Sequence, residues 1–362
     1  MTACKESTRT FAPDIARIAR AWSGRAQVRS YDALEPVALD PQAPDFLEDL
    51  LPFSHLSSFQ ALDVNAKSRV HSIGWVLYNQ KTIQIESEII VPTCSEVLQH
   101  MPSHIDDGTA YAISQTMTDE AFHTYLSVLN IRLNCAFRDL TIASPQFELI
   151  SNLKSLPAAS RRLDLLAVAT VSELFISDYL RKVSEAQHIQ PLHRQSVNAH
   201  RLDEGVHAHV FAALLPQVLS DMDRLQAERF ATMLVEGAAW FASNECLAWQ
   251  HALTRDGEAR FSSLLDELSA VPSSSVSHHD FSKVGEVALE HGLVSEGQFL
   301  ELVSAAQDRA RSSSAQTRLE SIECTAARAC SGADRMPADM FAIEHGSAVS
   351  RQCKLWSKPL VR

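Results

Sequence analysis

Apolar residues recur every three to four positions over most of this chain, the spacing of helices with one buried face. Their spacing predicts long helices over about 65–91, ending at Pro92, then over 107–137, 159–186, 191–214 and 217–251. Shorter helices are expected near 255–270, 281–291 and 295–310, after a loop over Pro272–His279 with Asp280 or Ser282 as the next N-cap. Residues 1–60 carry prolines at 13, 36, 41, 44 and 52 and read as an extension packing on the core, with one short helix near 13–23. Beyond about 311 the stripe fades into Ser, Ala and Arg, so 311–362 is expected to be a weakly ordered tail. The core domain is then 61–310. Eleven glycines and 14 prolines in 362 residues also favour an all-α fold.

Some stripes contain the wrong kind of residue. Glu86 falls in register with Ile73, Val76, Ile83 and Ile90, and Glu173 with Leu166, Ala169, Ile176 and Leu180. A carboxylate on a buried face needs a proton, a counter-ion or a metal. Two further helices each carry Asp-Glu-x-x-His: Asp119-Glu120 with His123, and Asp203-Glu204 with His207. Glu and His three apart share one helix face and can address one point. Glu86 precedes Asp119 by 33 positions and Glu173 precedes Asp203 by 30, as a duplicated helix pair would give. Ferritin-like four-helix bundles build two-metal carboxylate sites this way, with one Glu from each of two helices and a Glu-x-x-His from each of the others. On the fourth helix His193, Val197, His200, Glu204, His207 and Phe211 lie along one face, and His200 stands one turn before Glu204. The candidate ligands are therefore Glu86, Glu120, His123, Glu173, His200, Glu204 and His207, an oxygen and nitrogen set suited to iron or manganese. Asp119 and Asp203 are placed behind them, accepting the far N–H of a ligand histidine. His193 and His209 read as structural or exposed, and the pair His278-His279 as solvated loop.

Charge and cysteines narrow the class further. A net charge of −12 argues against nucleic acid as the main partner. The seven cysteines have no C-x-x-C spacing and read as reduced thiols of a cytoplasmic protein. No apolar leader and no stretch of about 18 apolar residues is visible, so neither a signal peptide nor a membrane span is expected.

These residues together resemble the AurF-type di-iron N-oxygenases. The similar blocks are Gly74-Trp75 through Tyr78-Asn79 to Glu86 and Pro92; Asp119-Glu120-Ala121-Phe122-His123-Thr124-Tyr125; Val171-Ser172-Glu173; and Ile189-Gln190-Pro191 through His193 to His200-Arg201-Leu202-Asp203-Glu204 and His207. The likeness covers about 15–305, with a weaker echo at Asp280-Phe281-Ser282. Ferritins and ribonucleotide reductase small subunits generally use two histidines, whereas this family uses three. The resemblance implies two iron ions on all seven candidates and O2 as co-substrate. The implied reaction oxidises a substrate amine to hydroxylamine or onward to nitroso or nitro, in natural-product biosynthesis. An external electron donor and a homodimer are also expected. The substrate is a free small-molecule amine or a carrier-tethered aminoacyl unit. Rival readings are a di-iron C–H hydroxylase and a non-catalytic iron-binding bundle. Tyr78 lines the substrate channel or belongs to the core, and Lys81 reaches a substrate carboxylate or is solvated. Ser177 is a third candidate for the pocket. The family's founding member has an arginine where this chain has Lys81, so a differently polar pocket is expected.

Overall fold

The chain is all-helical in the computed structural model, which describes residues 12–29, 39–100, 105–271, 279–295 and 297–308; no strand occurs among them. The expected tail over 311–362 lies outside these residues. The N-terminal segment forms α1 (Ala12–Arg25) and, after an irregular stretch, the short α2 (Ser57–Gln60). Then come α3 (Val64–Ile85), α4 (Val91–His100), α5 (Asp107–Arg138), α6 (Glu148–Ser155) and α7 (Arg161–Glu185). The order ends with α8 (Pro191–Leu219), α9 (Arg224–Phe241), α10 (Cys246–Ala270), α11 (Ser282–Glu290) and α12 over 298–308.

Local chemistry sets the ends of the central helices. Asp63 caps α3 by accepting from Ala66 N at 2.8 Å, and Asp106 caps α5 by accepting from Thr109 N at 2.9 Å. Pro191 opens α8 at its first position, where its missing N–H has no partner to lose. Three differences from the sequence pattern matter. The first helix does not stop at Pro92. Glu86–Ile90 form a π-helical segment, and α4 continues from Val91. Pro92 falls in the first turn after the hydrogen-bond ladder is reset, where a missing donor costs little. Helix α6 carries no strong sequence signal because it is only eight residues long. The helix expected over 217–251 is broken between Phe241 and Cys246, and Glu245 there takes left-handed φ 51°.

The core is ferritin-like. Helix α3 packs along α5, α7 along α8 and α9, and α5 meets α8 across the centre. These four helices, α3 with its π segment, α5, α7 and α8, surround the polar stripe residues. Around them one apolar core runs from Phe53 and Phe59 through Trp75 and Val168 to Phe211, Phe230 and Phe261. Asn130 donates to Asn79 at 3.1 Å and to Ser196 at 2.7 Å, tying α5 to α3 and α8 inside it. Helix α1 packs against α5 and α8 and brings residues 22–28 to their outer face. No helix among the described residues is long and apolar enough to cross a membrane.

Candidate metal centre

The seven stripe residues come together at the middle of the bundle, and every one is buried. Glu120 and Glu204 lie at its heart. Glu120 turns Oε2 to His123 Nδ1 at 2.7 Å and Oε1 to His207 Nδ1 at 2.8 Å. Glu204 turns Oε1 to His200 Nε2 at 2.7 Å and to His123 Nδ1 at 3.3 Å, and Oε2 to His207 Nδ1 at 3.5 Å. Glu86 approaches from the π segment, with Oε1 3.7 Å from His200 Nε2. Glu173 approaches from α7, with Oε2 3.7 Å from His207 Nδ1. Two overlapping groups result: Glu86, His123, His200 and Glu204, and Glu120, His123, Glu204 and His207, each able to bring one donor atom per residue within 4.8 Å of the others.

The donor atoms fit metal ions better than they fit one another. Glu86 Oε2, Glu120 Oε1, Glu173 Oε2, Glu204 Oε2 and His207 Nδ1 are buried without a hydrogen bond of acceptable geometry, even where Glu120 Oε1 and His207 Nδ1 approach to 2.8 Å. Each such orphan ordinarily costs about 1–3 kcal/mol, and here they converge on one place. Without a cation the cluster must hold protons instead. Burial and the neighbouring carboxylates drive Glu86 and Glu173 well above the usual carboxylate range. Burial also pushes Glu120 upward, but the His123 and His207 imidazoles outweigh it and hold that carboxyl at about 2. A divalent ion can replace those protons, because its ligands must bind deprotonated.

The two aspartates lie behind the histidines, and they are crossed. Asp119, of the first motif, faces Nε2 of His207 in the second at 3.4 Å. Asp203, of the second motif, faces Nε2 of His123 in the first at 3.5 Å. Sequence reasoning missed what holds them. Trp22 Nε1 donates to both oxygens of Asp119 at 2.9 and 2.8 Å. The backbone N–H groups of Gln27 and Val28 donate to Asp203, at 2.8 Å and 3.1 Å for the shortest contacts. These partners are 97 and about 175 residues away in sequence, so no local signal could have shown them. His193 is not at the centre: it stacks on Trp75 at 3.8 Å and donates Nδ1–H to the Asp45 carbonyl at 2.8 Å.

Residues 12–292 match the family described as p-aminobenzoate N-oxygenase AurF. The chain belongs to the AurF family. The matched span runs from α1 through α11 and includes every residue of the centre and its clamps. The 4-aminobenzoate N-oxygenase of Streptomyces thioluteus is 25% identical over 289 residues, which is 77% of this chain and 86% of that protein. Membership of the AurF family makes the chain an N-oxygenase enzyme, and its His and Glu groups could hold metal ions.

Beside the centre this AurF-family chain has a cavity of about 140 Å³ with aromatic walls, among them Phe46, Tyr78, Phe175, Tyr179, Phe241 and Trp249. Thr82 lines it one turn before Glu86, about 6 Å along the helix axis, so the cavity lies next to the carboxylate cluster. Tyr78 and Lys81 both line it. Ser177 is not among its lining residues; its Oγ faces Gly205 on α8. Lys81 is not solvated: Nζ is 2.9 Å from Glu245 Oε1, and the two side chains are 20% and 7% exposed. His279 also departs from expectation. It packs on Phe175 and Tyr179, with ring centres 4.8 and 5.0 Å apart, and closes one side of the cavity. A polar Ser243-Asn244-Glu245 run inside an otherwise apolar helical stretch was the available signal for Glu245.

Proposed function

We propose that this protein is an O2-dependent di-iron N-oxygenase acting on a small aromatic amine, which it takes to the hydroxylamine and onward to nitroso or nitro. The observation that carries this reading is the convergence of orphaned carboxylate oxygens and three imidazoles one turn from an aromatic-walled cavity. Glu120 faces His123 and His207 and Glu204 faces all three imidazoles, so these two carboxylates would be shared between two ions, with Glu86, His123 and His200 completing one set and Glu173 and His207 the other. Bound iron supplies one-electron redox chemistry and open positions for O2. In the first oxidation one oxygen atom goes to the substrate nitrogen and the other leaves as water, with two electrons and two protons from an external donor.

The chain's own residues do the rest. Asp203 and Asp119 face Nε2 of the His123 and His207 rings, whose Nδ1 atoms turn inward, and by accepting the Nε2–H they would fix the tautomer of each ring toward a bound metal. The aromatic walls exclude water and place a flat substrate by stacking. The 4-aminobenzoate N-oxygenase relative supports an aromatic amine as the substrate class. The test is to load the protein with ferrous iron, admit O2 with an electron donor and a panel of aryl and alkyl amines, and identify products by mass spectrometry. Oxygen on the nitrogen, lost in Glu204→Ala, is the expected result. Oxygen on a ring carbon with the amine intact would replace this reading by C–H hydroxylation.

A further inference from the structure

The aromatic cavity contains one pair of opposite charges, and that pair is preorganised. Lys81 reaches it from α3 and Glu245 from the turn between α9 and α10. Glu245 is held twice. Its Oε2 accepts from the Glu148 backbone N–H at 2.5 Å, and its backbone stays in the left-handed region at φ 51°, which a non-glycine residue keeps only when its surroundings demand it. Its Oε1 is 2.9 Å from Lys81 Nζ yet has no hydrogen bond of acceptable geometry, so it keeps acceptor capacity. The pair as a unit is neutral. A substrate bearing only a carboxylate would approach Lys81 with Glu245 already against it, a like-charge contact that costs affinity. A substrate bearing both charges side by side meets a partner for each.

We infer that Lys81 and Glu245 select an aryl amine whose far end is an α-amino-acid head, its carboxylate against Lys81 and its ammonium against Glu245. The inference rests on the N-oxygenase reading and names the substrate class for that site. The reach is right for it. Lys81 and Thr82 both line the cavity, and Thr82 stands one turn before Glu86, so a ligand whose head is held at Lys81 extends toward the carboxylate cluster. The walls that would flank that ring are Tyr78, Tyr179 and Phe175. An aminoacyl group tied to a carrier as a thioester lacks the carboxylate that Lys81 requires, so the inferred substrate is a free amino acid.

Two probes that differ only in the ammonium group test this: 4-aminophenylalanine and 3-(4-aminophenyl)propanoate. Binding to the iron-loaded protein without O2 is measured by calorimetry and by tryptophan fluorescence, Trp249 being in the cavity wall. The amino acid is expected to bind about tenfold tighter than the propanoate, and Glu245→Gln is expected to abolish or reverse that preference. Equal affinities in the wild type, no detectable binding of the amino acid, or an unchanged ratio in Glu245→Gln would overturn the inference. Should that variant not fold, 4-aminophenethylamine, which lacks the carboxylate, replaces it: the wild type should bind it more weakly than the amino acid, and equal binding overturns the inference. Binding is read without turnover, so the two readings fail separately. Intact discrimination with no N-oxidised product would strike the N-oxygenase reading alone. N-oxidation of probes bound with equal affinity would strike this inference alone.

Discussion

The two halves of the candidate metal centre are built on the same plan and are not alike. On the Glu173 side, a regular helix presents one carboxylate to one histidine, His207. On the Glu86 side, the carboxylate stands at the head of a π-helical segment and faces a second imidazole, His200, in addition to His123. The histidines differ too. His207 is driven upward despite burial because Glu120 and its other carboxylate neighbours favour the charged ring. His200 is driven downward by burial and by the nearby His123, so it is a neutral ring with a lone pair to give. A π turn adds one residue to a helix turn and re-aims the side chains beyond it. The two copies of the motif are asymmetric in this way: one side has a standard turn and a single imidazole, while the other has a widened turn where the third imidazole stands. Shared residues should therefore matter to both ions, and unshared ones to one.

The largest effect should come from a shared carboxylate. Glu204→Ala is expected to reduce iron from about two per chain to nearly none, measured by metal analysis after desalting. Next is His207→Ala, which leaves Glu173 as the only unshared ligand of its position; the iron content should fall to about one. His200→Ala should be milder, because Glu86 and His123 remain. Both ions bind, but the two binding phases separate in a titration. If His200→Ala and His207→Ala behave alike, the two halves are equivalent after all.

The crossed aspartates divide the two halves more finely. Asp203→Asn should weaken the His123 position and Asp119→Asn the His207 position, each by about tenfold in metal affinity. An effect confined to the ion bound by the same motif would contradict the crossing. The effect most remote from the centre concerns a histidine on α8 that has no part in it. Burial lowers His193 to about 4, against an ordinary value near 6.5. The unfolded chain therefore takes up this proton first, and stability is lost as pH falls from 6.5 toward 4. Between pH 7 and pH 5 the stability advantage of wild type over His193→Gln should shrink by about 2 kcal/mol, read from denaturant midpoints of chelator-treated protein. Parallel pH profiles would show that His193 is not buried as a neutral ring.

Much of the centre was legible because helix geometry converts spacing directly into a shared face. Glu120 with His123 and Glu204 with His207 need only the three-residue step, and Glu86 and Glu173 betray themselves by interrupting apolar stripes. What was not legible depends on backbone detail or long-range contact. Pro92 looked like a helix end because a π segment has no sequence signature of its own. The break before Cys246 was hidden by apolar residues on both sides, and with it the placement of Glu245 opposite Lys81. Trp22 gave no sign of its contact with Asp119, since nothing in the first 30 residues repeats a pattern found near position 119. Lys81 was visible as a departure from the family's arginine, but whether it stood free or paired was fixed by Glu245 in the turn between α9 and α10.

Everything proposed for the centre depends on two ions occupying one cluster, with two shared and five unshared ligands. The decisive measurement is an anaerobic titration of the metal-free wild-type protein with ferrous ion, with iron retained after desalting counted per chain. Saturation is expected at two ions per chain, falling to one in His207→Ala. Saturation of the wild type at one ion or none, or two ions retained in Glu204→Ala, would contradict the shared-ligand arrangement.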